Sequence, residues 1–172
     1  MKIKQLLFSL PLLLLIFLAL MILLSHVTVL TLENIYTGKK YFLNIVSDGT
    51  RLSYNFLHSY DKDRVVEEFV VEDSMLKPVK VVYSSDTYDY RELRYKCTVK
   101  MENGKIILYV KDNVKFKSII YQVAYLAPQK LTVNINGKIY RYYLQWFGKC
   151  GEAVKLEIEE IPYILFLMLK RC

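Results

Sequence analysis

Leu131-Thr132-Val133-Asn134-Ile135-Asn136-Gly137-Lys138-Ile139-Tyr140-Arg141-Tyr142-Tyr143-Leu144 decides the fold class. Apolar residues alternate with polar ones on both sides of Asn136-Gly137, a pair that readily takes the positive φ of a two-residue hairpin turn. Closing that turn places Leu131, Val133 and Ile135 on one face with Tyr140, Tyr142, Leu144 and Trp146. Because the side-chain period of a strand is two, a register slip of one residue would scatter this face.

The same reading applies elsewhere. Asn103-Gly104, closed at Glu102/Lys105, joins Leu93, Tyr95, Cys97, Val99 and Met101 to Ile106, Leu108 and Val110. Asp48-Gly49, closed at Ser47/Thr50, predicts a third hairpin with Tyr41, Leu43 and Ile45 on the face of Leu52, Tyr54 and Phe56. Further strands are expected over Val65–Glu72, Val79–Ser85, Phe116–Leu126 and Ala153–Glu159. The expectation is an all-β domain, an antiparallel β-sandwich or flattened barrel of about nine or ten strands.

One N-terminal transmembrane helix is expected to precede that domain. No charge occurs from Gln5 to Leu32, and Leu6 to Leu24 is almost wholly apolar, whereas a bilayer core requires about 20 such residues. The competing reading is a cleaved signal peptide, which has a shorter apolar run and small residues before the cut. Leu23-Leu24-Ser25-His26-Val27 offers no such site. Lys2 and Lys4 precede the run and Glu33 is the first charge after it, so the positive-inside rule keeps the N-terminus cytoplasmic and exports the rest. The expected organisation is residues 1–5 cytoplasmic, 6–30 a signal-anchor in membrane lipid, 33–160 an extracytoplasmic β-domain and 161–172 an apolar tail. That tail is read either as an element packed on the domain or as a segment resting on the membrane or a partner.

The net charge of +7 is spread over interspersed Lys, Arg, Asp and Glu, without the basic block that nucleic-acid binding requires. Enzyme signatures are missing. The two histidines, His26 and His58, are too few and too far apart for paired metal-ligand spacing, and no glycine-rich phosphate loop occurs. Asp61, Asp63, Glu67 and Glu68 supply carboxylates, as any solvated turn does. No cofactor or metal is expected, nor any chemistry of the domain's own.

The densest polar cluster runs from His58 and Ser59 to Glu67 and Glu68. A turn near Asp61-Lys62 with Val65 opposite His58 makes His58 and Glu67 diagonal neighbours on the inward face. They are expected to form a hydrogen-bonded pair, with Ser59 capping the turn. The pair has three readings: a lock on the hairpin, a ligand contact, or a catalytic pair. Among three cysteines, Cys97 and Cys150 are candidates for a disulfide in an exported domain, with a reduced, buried Cys97 as the alternative.

Leu52-Ser53-Tyr54-Asn55-Phe56-Leu57-His58-Ser59, continued by Val65-Val66-Glu67-Glu68-Phe69-Val70-Val71, resembles the DUF1850 family. Its members show a Tyr-x-x-x-His-Ser-like strand end, a polar turn and Val-x-Glu-x-(Tyr/Phe)-x-Val. Gly151 to Ile158 is similar to a late strand of the same family. A glycine-rich loop usual in the family is replaced here by Tyr83-Ser84-Ser85-Asp86-Thr87-Tyr88-Asp89-Tyr90. The resemblance implies an accessory protein of solute uptake, often encoded beside TRAP-type permeases of the TAXI class, with His58, Ser59 and Glu67 as matching positions. A structural or adhesion-like β-domain of the cell envelope is the alternative function.

Overall fold

The computed structural model describes residues 2–58, 62–84 and 96–170, with side chains given from Pro11 onward. Helix α1 (Lys2–Leu24) leads into eleven strands: β1 (His26–Asn34), β2 (Lys40–Ile45), β3 (Arg51–Leu57), β4 (Arg64–Glu72), β5 (Met75–Tyr83), β6 (Cys97–Glu102), β7 (Lys105–Val110), β8 (Ser118–Gln122), β9 (Lys130–Ile135), β10 (Lys138–Tyr143) and β11 (Ala153–Pro162). A short helix, α2 (Tyr163–Leu169), follows. The strands form two antiparallel sheets, one of four in the order β2-β1-β11-β8 and one of seven in the order β10-β9-β3-β4-β5-β7-β6.

The two sheets pack face to face, as in a sandwich. Leu30, Leu32, Leu156 and Ile158 from the small sheet meet Leu52, Tyr54, Phe69, Leu131 and Val133 from the large one in a single core. Burying such side chains contributes roughly 1.5–3 kcal/mol each before entropy opposes it. A second cluster, Val65, Val81, Tyr83, Ile106 and Leu108, lies toward the far wing of the large sheet. Edge strand β6 leaves Met101 and Val99 exposed, because four strands cannot cover the face of seven.

The hairpins at Asn103-Gly104 and Asn136-Gly137 form as the sequence predicts, paired Glu102↔Lys105 and Ile135↔Lys138. Both residues of each turn take positive φ. The Asp48-Gly49 turn also closes, with Thr50 N–H donating to the Ser47 carbonyl, but it does not join a hairpin. β2 pairs with β1, whereas β3 pairs with β4 and β9, so the turn carries the chain from one sheet to the other. The backbones of Gly49 and Thr50 bond to Val71 of β4 instead. A hairpin that the sequence leaves unmarked joins β4 to β5 through Asp73-Ser74, both at positive φ.

Three expected boundaries move. Residues 26–30, assigned to the anchor, belong to β1, which is hydrogen-bonded on both sides by β2 and β11. Its long apolar run follows from having both faces covered, with Val29, Leu30, Thr31 and Leu32 fully buried. β11 continues to Pro162 before the tail turns helical. At the end of β10 the alternation breaks in a 3-10 turn over Leu144–Trp146. Leu144 and Phe147 are buried and Trp146 is 61% exposed, so Trp146 does not lie on the inward face expected of it.

α1 is helical where the anchor is expected. It runs over 23 residues, Lys2–Leu24, with Pro11 inside it. Among the described residues no helix is long and apolar enough to cross a membrane.

Candidate binding site

His26 of β1 lies opposite Pro162 of β11, and Asn34 opposite Val154. Both helices therefore leave the small sheet at one end, and the other end of β1 lies about 26 Å away at roughly 3.3 Å per residue. At that distal end converge the turn after β3, the loop between β8 and β9, and the segment from Leu144 to Glu152.

His58 stands there, half-buried, directly after β3. Its backbone N–H donates to the Asp63 carbonyl at 2.7 Å, and Phe56 pairs with Val65. Val65 thus lies opposite a residue two positions earlier than the sequence reading has it, and the connection between the paired residues is two residues longer. Parity survives, so Glu67 still points inward, but it lies opposite Tyr54. His58 and Glu67 are consequently not diagonal neighbours, and this register does not bring them side by side. Ser59 lies outside the described residues. Glu68 points outward and pairs with Lys80 at 3.0 Å, so the adjacent carboxylates do not face one another.

A cavity of about 510 Å³ opens beside His58, lined by Phe56, Leu57 and the loop from Gln122 to Ala127. On the far side of that loop a second concavity, about 480 Å³, lies among Tyr125, Tyr143, Gln145, Trp146 and Cys150. The loop between them is held by one residue that sequence reasoning missed. Gln129, only 5% exposed, donates to the Tyr54 hydroxyl at 2.6 Å and the Gln122 carbonyl at 2.9 Å. Its side-chain oxygen accepts from Ala124 N–H at 2.8 Å, and its own N–H donates to the Gln145 amide oxygen at 3.3 Å. Gln145 in turn donates to the Ala127 carbonyl at 3.3 Å. A signal was present: the chain has four glutamines, and Gln122, Gln129 and Gln145 all serve this one loop.

Beneath the loop lies a buried polar pair. Tyr121 O–H donates to Glu67 Oε2 at 3.5 Å, and the rings of Tyr54 and Tyr121 are 3.8 Å apart. Glu67 is 3% exposed and is the buried charged side chain of the described core; removing a carboxylate from water demands such donors. Neighbouring Asn34 shapes the third distal loop. Its amide donates to the Phe147 carbonyl at 3.0 Å and to Glu152 Oε2 at 2.7 Å, while its oxygen accepts from Tyr36 and Thr37 N–H. The Asn34 amide, followed by the Lys149 N–H, holds the Glu152 carboxyl below its ordinary range.

No disulfide joins Cys97 to Cys150. Cys97 sits on edge strand β6 against the second cluster, and burial followed by the Asp112 carboxylate pushes its thiol up. Cys150 is exposed in the distal loop, its Sγ 3.4 Å from the Ala124 carbonyl. Among the described residues no three of His, Cys, Asp and Glu converge as a metal site would need.

The His58 cavity offers apolar contact, one imidazole and the backbone edges of a pinned loop. Ligand pockets in general combine an apolar recess with a few such polar groups. No family model, no curated protein and no solved structure matches the chain. The likeness to DUF1850 rests on the quoted residues alone.

Proposed function

We propose that the chain is a membrane-anchored extracytoplasmic binding or accessory module, tethered by α1 and presenting its distal loops. In this reading the His58 cavity takes the ligand or docking segment and the domain performs no chemistry of its own. The supporting observation is the polarity of the molecule. Both helices leave at one end of the small sheet, and the cavity with its Gln129-pinned loop lies at the other. A domain held at one pole binds most freely at the opposite one. The resemblance to DUF1850 adds the partner class, a TRAP-type permease, since a single anchor forms no conduction path.

The test is purification of the full chain in mild detergent with mass spectrometry of co-purifying proteins, beside a control truncated after Ser25. A multi-span permease retained by the full chain, lost from the control and weakened by His58→Ala supports the reading. Recovery of envelope proteins instead, with no dependence on His58, supports a structural or adhesion-like surface domain. That second reading is favoured by the exposure of Tyr36, Tyr125 and Trp146 at the distal end, where aromatic side chains anchor protein contacts.

A further inference from the structure

α2 has the sequence Tyr163-Ile164-Leu165-Phe166-Leu167-Met168-Leu169, without a polar side chain apart from the tyrosine hydroxyl. Phe166 is buried against Val29 and Ile161, with Val27, Phe42 and Tyr163 beside it, on the outer face of the small sheet. At 100° per residue, Leu167, Ile164, Met168 and Leu165 fall in one arc of roughly 160° opposite Phe166. All four are exposed, Met168 by 64%. A helix on a water-facing surface carries polar residues on that arc, and this one carries four aliphatic side chains.

Three observations say what covers it. α2 touches α1, and the Tyr163 N–H donates to the Ser25 carbonyl, one residue beyond the end of α1. The apolar surface of α2 is therefore continuous with that of α1, whose described residues from Leu12 to Leu18 are likewise exposed. The outer face of the small sheet changes character along its length. Toward the distal end it is a charged ladder of Glu33, Lys155 and Glu157, with Lys40 and Glu159 beside them. Beyond Glu159 it turns apolar at Ile161 and Phe166. Last, Lys170 directly follows the helix with its Nζ over the Phe166 ring at 5.3 Å, and a second basic residue, Arg171, comes next in the sequence.

We infer that α2 is a second membrane contact. It lies in the headgroup region beside α1 with Ile164, Leu165, Leu167 and Met168 in the acyl boundary, and so fixes the orientation of the sandwich on the bilayer. This rests on the anchor reading of α1, extending it from a flexible tether to a two-point mount. Interfacial helices bury their apolar face by about 5–10 Å, helped by basic residues on anionic lipid.

The experiment uses the full chain with its cysteines replaced by serine, in vesicles of phosphatidylcholine with phosphatidylglycerol. Single bimane labels are placed at Met168→Cys, at Leu18→Cys in α1 and at Glu102→Cys in the distal hairpin. Quenching is read with doxyl-labelled lipid and with aqueous iodide. The expected result is lipid quenching at 168, weaker iodide quenching there by several-fold than at 102, and deeper lipid quenching at 18. Iodide quenching at 168 equal to that at 102, with 18 still in lipid, overturns the inference and leaves the anchor standing. Iodide quenching at both 18 and 168 overturns both readings. A label at 168 reached by neither quencher means that protein covers this face, and overturns the inference alone.

Discussion

The backbone N–H of Tyr163 donates to the carbonyl of Ser25 at 2.8 Å, so the chain's first helix ends where its last begins. Two segments 138 positions apart in sequence thereby leave the sandwich as a pair, at the His26↔Pro162 end of the small sheet. The bond is reinforced by Phe166, which is 4% exposed.

Phe166→Ala removes the side chain that seats α2. A buried Phe→Ala costs about 3–5 kcal/mol, and the lower end is expected here because the satellite cluster is small. Chemical unfolding of the full chain in detergent checks the loss. Hydrogen exchange should rise in residues 163–169 while the amides of β3 and β4 stay protected. Equal loosening of β3 and β4 would contradict the satellite role.

Gln129→Leu keeps the volume and deletes three side-chain hydrogen bonds, leaving the Ala124 N–H and the Gln122 carbonyl in search of partners. With each unsatisfied buried group costing about 1–3 kcal/mol, a total loss of about 2–6 kcal/mol is expected. Amide exchange should accelerate from 122 to 128, because the loop between the two distal concavities loses its pin. Unchanged exchange there would assign the loop's shape to Gln145 instead.

Two glycines separate conformational from steric cost. Gly137 takes φ +85, and a Cβ added there would meet nothing within 4 Å, so Gly137→Ala costs only the left-handed penalty, about 1–2 kcal/mol. Gly148 has no such φ, but a Cβ there falls 3.2 Å from Asn34 Nδ2, Val123 Cγ2 and Val154 Cγ2. The two valines are fully buried and the amide is held by two hydrogen bonds. Gly148→Ala should therefore cost about 1–3 kcal/mol and shift the emission of Trp146, the chain's one tryptophan; Gly137→Ala should leave that emission alone.

Glu152 makes the same loop acid-sensitive. Its carboxyl is held below the ordinary value of 4.5, first by the Asn34 amide and then by Lys149 N–H. A group whose folded pKa is depressed stabilises the fold above its unfolded value, and that contribution fades as pH falls through the folded one. Trp146 emission should accordingly change on acidification below pH 4.5. In Glu152→Gln, which still accepts both bonds but does not titrate there, the step should vanish. A step of equal size in the variant would trace it to another group.

Much of this architecture is legible in the chain itself. Asn103-Gly104 and Asn136-Gly137 are hairpins because positive φ at both central residues is a local demand, met by local residues. The inward face of β3 and β4 is likewise local, since alternation survives a register change of two residues. The distance between His58 and Glu67 did not survive it, because a turn containing Asp61-Lys62 can close at more than one length. Asp73-Ser74 carries no glycine, and only the pairing of β4 with β5 draws both residues to positive φ.

By itself, the sequence determined period, face and the two Asn-Gly turns, all properties of neighbours along the chain. Tertiary structure alone decided partnership. Asp48-Gly49 crosses between sheets, since β2 pairs with β1 while β3 pairs with β4 and β9. The apolar run from Val27 to Leu32 is a central strand because two layers cover it, a fact absent from its own residues. Gln129 and Ser25 acquire their roles only where loops distant in sequence meet. Backbone donors and acceptors are the same on every residue but proline, so which of them pair is settled by the packing of the whole.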